Sequence, residues 1–176
     1  MRKEVIDMHV FQPFPIEQVE FSPFTKIGKE WALITAGDKK KSNTMTVSWG
    51  GVGVLWGKNV VYIFIRDSRY TKEFIDHGEF FTMSFLPDSY HAALQYCGSH
   101  SGRDCADKWK EAALTPAFRH GIPYPDESNF VLICRKMACV PITEDTFLDQ
   151  SIMEKWYPDH DMHQMYVAEI IESMAR

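Results

Sequence analysis

The chain has 176 residues, a formal net charge of -5 and an apolar fraction of 45%, enough for one domain of residues 1–176 with a substantial core. The weak acidic balance gives no basic face for nucleic acid, no apolar run is long enough to span a bilayer, and no Cys-x-x-Cys pair occurs among Cys97, Cys105, Cys134 and Cys139. The first residues carry charge but no apolar stretch of the signal-peptide kind, so a cytoplasmic chain with reduced thiols is expected.

Residues 1–30 hold prolines 13, 15 and 23 and no clear period, and read as an N-terminal arm with a short strand or two. Trp31–Ala36 reads as a buried strand, closed by Gly37, Asp38 and the lysines 39–41 of a polar hairpin tip. In the next strand, alternation sets Met45, Val47 and Trp49 on one face and Thr44, Thr46 and Ser48 on the other. Gly50, Gly51 and Gly53 then suggest a bulge or a close backbone approach. Val60–Ile65 is apolar on both faces, as a covered barrel strand would be.

Tyr70–His77 reads as a helix with Tyr70 and Phe74 in i, i+4 contact and Gly78 as its stop. Phe80–Leu86 is a further strand. Asp88 can cap a helix whose apolar positions are Tyr90, Ala93, Leu94 and Cys97, with Gly98 ending it. A short helix around Asp107–Ala113 carries Trp109. The prolines at 116, 123 and 125 make 115–129 irregular, Phe130–Val140 a long strand bulged at Arg135–Lys136, 141–162 mixed, and His163–Glu172 the last strand. Six or so strands with scattered helices fit a closed or nearly closed β-barrel with helices outside, better than a parallel βαβ array.

Three stretches carry chemistry. In RDSRYT, Arg66, Ser68, Arg69 and Thr71 bring guanidinium groups, hydroxyls and helix-start N–H groups within one turn, as a phosphate requires. An exposed helix start capped by Ser68 is the plain alternative. In NTMTVSW, a row of hydroxyls can meet the polar edge of a heterocycle, or simply face water. In CGSHSGRD, small residues let backbone approach a ligand, or form an ordinary loop. Cys97, His100 and Cys105 lack the usual zinc spacing. For Asp159, His160, Asp161 and His163 a solvated acidic turn outweighs a metal site. No dinucleotide-binding glycine fingerprint, Walker A motif or nucleophile elbow is present.

In this order, NTMTVSW (43–49), RDSRYT (66–71), FFTMSFLP (80–87), SGRDCADKW (101–109) and HQMYVAEI (163–170) resemble the flavin reductase-like family of FMN-binding split-barrel proteins, in particular its flavoredoxin-like branch. In the closing strand, Tyr166 stands where the family has Phe and Ala168 where it has Gly. The resemblance implies a mainly β split barrel of Greek-key type with short peripheral helices. It implies FMN, with Asn43, Thr44, Met45, Thr46, Ser48 and Trp49 beside the ring and ribityl chain. Arg66, Ser68, Arg69, Tyr70 and Thr71 would hold the phosphate. The loop Gly98, Ser99, His100, Ser101, Gly102 would close over the flavin from the second subunit of a homodimer, and His163 would lie near the open ring face as the candidate catalytic group. The implied activity is electron transfer from NADH or NADPH through FMN to a small acceptor. The alternative is a non-enzymatic FMN protein relaying electrons between protein partners.

Overall fold

The computed structural model describes residues 10–176; residues 1–9 of the expected N-terminal arm lie outside the described residues. The arm from residue 10 onward contains β1 (Gln12–Pro13), a 3-10 turn and the one-turn helix α1 (Pro23–Lys26). Strands β2 (Ala32–Gly37), β3 (Ser42–Val47), β4 (Gly50–Leu55) and β5 (Lys58–Arg66) follow in succession. Then come α2 (Tyr70–His77), β6 (Phe80–Phe85), α3 (His91–Ser99), α4 (Lys108–Glu111), β7 (Pro116–Arg119), β8 (Ile122–Pro125), β9 (Phe130–Pro141), α5 (Gln150–Trp156) and β10 (His163–Ala175).

Seven strands pair antiparallel in the order β3-β2-β6-β9-β10-β5-β4, with β1 added on β10 to make eight. The two ends of that order are joined by only Ser48 and Trp49. Two residues span at most about 7 Å per step pair, so the sheet must curl until its ends meet. The result is a split barrel: curled like a closed barrel, but with no ladder between β3 and β4. Inward-pointing residues from every main strand form one core, among them Ile34, Met45, Ile63, Phe81, Leu132 and Tyr166. Alternate residues of β2 point outward instead, and Leu33 packs with Leu94 and Cys97 under α3. This two-sided burial is what the continuous apolar runs require.

Several expectations change in detail. Residues 115–129 are not irregular: β7 and β8 form a separate two-stranded hairpin. Its turn is His120-Gly121, both at positive φ (52° and 82°), the signature of a tight two-residue hairpin loop. The prolines are tolerated because only one neighbour strand is present. Gly98 does not end α3; it lies in its last turn, where a Cβ would stand 3.4 Å from Thr46. Asp88 heads a 3-10 turn before α3 rather than capping it. The bulge in β9 falls one residue later, at Met137, between the pairs Val167↔Ala138 and Ala168↔Lys136. Among the described residues no helix is long and apolar enough to cross a membrane.

Candidate functional site

The strands β3 and β5 end at the same side of the barrel, where β10 begins: His163 pairs with Arg66. The chain after β3 (Ser48, Trp49) and after β5 (residues 67–69) therefore frames one surface depression. Two cavities lie there. An aromatic cavity of about 220 Å³ is lined by Met45, Thr46, Val47, Ser48, Trp49, Phe64, Arg66, Arg69, Trp156 and His163. A polar cavity of about 250 Å³ involves Asn43, Met45, Ser68, Arg69, Tyr70 and Thr71 on the strand and helix side. Ser99 through Gly102, Asp104 and Lys108 close its other side. Met45 and Arg69 border both.

In the aromatic cavity, Trp49 meets Trp156 edge-on at 5.0 Å and 89°, and lies 5.3 Å from the His163 ring. His163 is 6% exposed, and its Nδ1 is 2.8 Å from the Tyr157 hydroxyl. Burial, reinforced by the Arg66 charge, pushes the imidazole pKa down to about 4. His163 is therefore neutral near pH 7, and a neutral ring that accepts the Tyr157 hydroxyl at Nδ1 keeps its proton on Nε2 as a donor.

In the polar cavity, Arg69 donates to the Gly98 carbonyl at 2.9 Å, which fixes one side of its fork and leaves further N–H groups for a ligand. Asn43 is buried and donates to Thr71 Oγ1 at 2.8 Å. Gly102 packs so closely here that a Cβ would sit 2.2 Å from Asn43 Oδ1; only glycine lets the 99–104 loop close on the strand. Lys108 is buried, donates to the Cys97 carbonyl at 3.1 Å, and has its pKa lowered by that burial. Arg103 donates to the Ser68 carbonyl at 3.1 Å, pairs with Glu73 and stacks over Tyr70 at 5.0 Å.

Most of the residues singled out in the sequence line one cavity or the other. Thr44 and Gly98 do not. Thr44 is buried and bonds Thr35 at 2.8 Å, so the row of hydroxyls breaks. Thr46 faces the aromatic cavity, but its hydroxyl donates to the Leu94 carbonyl at 2.5 Å. The 98–102 loop reaches the polar cavity within its own chain. Lys108 and Trp156 add to the expected site residues, and Asp161, expected only as part of a solvated acidic turn, joins them. Asp161 accepts from Ser68 N and Oγ at 3.1 and 2.6 Å, and among the described residues no His, Cys, Asp and Glu cluster could hold a metal ion.

An aromatic cavity beside one lined by Arg69, Lys108 and hydroxyls suits a flat conjugated ring that carries an anionic group such as a phosphate. A family model described as flavin reductase like domain matches residues 24–173. Among solved structures the chain is similar to an FMN-binding domain of a flavin reductase-like enzyme from Shewanella baltica, at 15% identity over 94% of this chain and 77% of that one, with a TM-score of 0.69. It is also similar to flavoredoxin from Methanosarcina acetivorans, at 21% identity over 84% of this chain and 68% of that one, TM-score 0.64. The flavin reductase of styrene monooxygenase from Pseudomonas putida aligns at 15% identity over 84% and 79%, TM-score 0.60. No curated protein matches the sequence.

Proposed function

The chain belongs to the flavin reductase-like domain family, and from that premise we propose that it is a single-domain FMN-binding oxidoreductase. It takes electrons from NADH or NADPH and passes them to a small acceptor. The observation that carries this reading is the junction of the aromatic and polar cavities at Met45 and Arg69. Bound FMN supplies the redox chemistry; the protein binds, orients and tunes it.

Each residue then has a task. The 45–49 stretch lines the aromatic cavity, so Met45, Val47 and Trp49 would border the ring and Thr46 and Ser48 would lie along its edge. Arg69, Tyr70, Thr71, Lys108 and the 99–102 loop line the polar cavity and would hold the phosphate, with Arg69 as the principal cation because it faces both cavities. Asn43 holds Thr71 in place. His163, neutral and bonded to Tyr157, lines the ring cavity without adding charge to it. The working form is a cytoplasmic homodimer with FMN at the subunit interface.

The test is a visible absorption spectrum of the purified protein, before and after NADH or NADPH is added without oxygen. A flavin spectrum that bleaches is expected. A flavin spectrum that persists turns the reading toward an FMN protein that relays electrons between protein partners. Protein that neither carries nor takes up FMN leaves the barrel and removes the function.

A further inference from the structure

Arg66 and Ser68 belong to the stretch in which guanidinium and hydroxyl groups suggest a phosphate site, yet both are already engaged. Between β9 and β10 the chain leaves the barrel at Pro141 and returns at His163. This 142–162 segment carries α5 and places Trp156 in the wall of the aromatic cavity. Arg66 donates to the Asp161 carbonyl at 2.7 Å and to the Trp156 carbonyl at 2.9 Å. The Asp161 carboxylate accepts from Ser68 N at 3.1 Å and Ser68 Oγ at 2.6 Å, and stands 4.0 Å from Arg66. Asp67 N adds a bond to the Met162 carbonyl at 3.0 Å. The Arg66 guanidinium also covers the Tyr157 ring at 5.1 Å.

These contacts have a consequence for the phosphate. A dianion on Ser68 would have to displace the Asp161 carboxylate or lie against it, and like charges that close are repelled in a partly buried site. The Arg66 fork is aimed at carbonyls of the segment, and Arg66 lines the aromatic cavity rather than the polar one. Arg69, one turn of chain later, faces the polar cavity with donors to spare.

We propose that Arg66 and Ser68 form a clasp with Asp161 that fastens the 142–162 segment as a strap, and that this strap positions Trp156 as a wall of the ring cavity. Arg66, Ser68 and Asp161 are positioning residues; the phosphate is left to Arg69, Lys108 and the 99–102 loop. Trp156 is seated edge-on against Trp49, so the clasp sets how much of the ring cavity solvent can reach. The inference rests on the flavin reading for the identity of the ring occupant.

FMN and riboflavin differ by the phosphate, so the ratio of their affinities reads phosphate contacts alone. Flavin titrations on the full chain should show that ratio falling about tenfold in Arg69→Ala, as loss of a charged hydrogen bond implies. It should stay within twofold in Arg66→Ala and Asp161→Ala. Iodide should quench the bound flavin several-fold more strongly in Arg66→Ala, Asp161→Ala and Trp156→Ala than in the parent protein. A tenfold fall of the ratio in Arg66→Ala, or a rise in Asp161→Ala, would overturn the assignment and return Arg66 to the phosphate. The clasp can also be read with no flavin present. Hydrogen exchange at the amides of Ile152, Tyr157 and His160, which are bonded within the strap, should quicken about tenfold in Asp161→Ala and Arg66→Ala and not in Arg69→Ala. Unchanged exchange sinks the clasp whether or not flavin binds, whereas quickened exchange in a protein that takes up no flavin leaves the clasp and removes only the flavin reading.

Discussion

Arg69 borders both cavities and is fixed on one side by the Gly98 carbonyl. Its replacement by alanine removes charged hydrogen bonds worth roughly 1.5–3 kcal/mol, so FMN should bind about tenfold or more weakly, measured by fluorescence titration. Equal affinity would take Arg69 out of the phosphate site. His163 gives a second prediction at this scale, with the opposite sign from a salt-bridged histidine. Its folded pKa is depressed from the ordinary 6.5 to about 4 because the ring is buried beside Arg66. Above pH 6.5 the ring is neutral in both folded and unfolded chains and costs nothing. As pH falls from 6.5 toward 4, the unfolded chain takes up a proton that the folded one refuses, and stability drops by on the order of 2–3 kcal/mol. Thermal melts at pH 7.5 and 4.5 should differ by less in His163→Gln than in the parent; an equal difference would mean that the ring titrates normally. The residues of this site were legible unevenly. Arg69, Tyr70 and Thr71 stood out because hydroxyls and guanidinium groups at a helix start have a recognisable chemistry. Asp161 and Lys108 did not, since an acidic turn and a lysine after Asp107 look solvent-facing until Ser68 and the Cys97 carbonyl are brought to them across the fold.

At the scale of elements, period and punctuation located most strands and the Tyr70–His77 helix, with its Tyr70–Phe74 contact at 5.0 Å. The failures are places where a local signal was weighed against the wrong partner. Prolines at 116, 123 and 125 argued against a strand, but a two-stranded hairpin has no second neighbour to demand the missing N–H, and His120-Gly121 supplied the turn. Gly98 looked like a helix stop, while its reason is the approach of α3 to Thr46. The 142–162 segment has no strong period, being held by Arg66, Ser68 and the Asp67 N–H together with the isolated anchors Trp156 and Tyr157. The glycines of β4 were read as a bulge or a close approach, and Gly50 makes the latter. Its φ is +152°, and a Cβ would stand 2.6 Å from the Tyr62 carbonyl oxygen. Gly50→Ala should therefore destabilise the protein by about 1–3 kcal/mol, read as a lower urea midpoint. Gly53→Ala, whose Cβ would meet Tyr62 at an ordinary 3.6 Å, should change it little. Equal effects at the two positions would show that backbone freedom in β4, rather than the approach at Gly50, is what matters.

For the whole molecule, the open seam of the barrel and the turn beside it bear on assembly. The β4–β5 hairpin turns at Trp56-Gly57 with φ of 52° and 70°. This geometry favours Asn or Asp at the first position, and a bulky residue there carries strain of about 1–2 kcal/mol. Yet Trp56 is 59% exposed and Val54, two residues before it, 70% exposed. Folding of one chain gives no return for a strained indole in water. The proposed homodimer does, because a partner subunit covering the hairpin would bury both side chains, and large aromatic groups dominate such contacts. Light scattering should then give twice the 20.4 kDa chain mass for the parent protein. Trp56→Asn relieves the turn and removes the indole, so it separates the two effects. If the hairpin lies in the interface, the variant shifts toward a single-chain mass and FMN affinity falls with it, even though the isolated turn is less strained. If instead the mass is unchanged and only the melting temperature rises, Trp56 lies outside the interface and a different face joins the subunits.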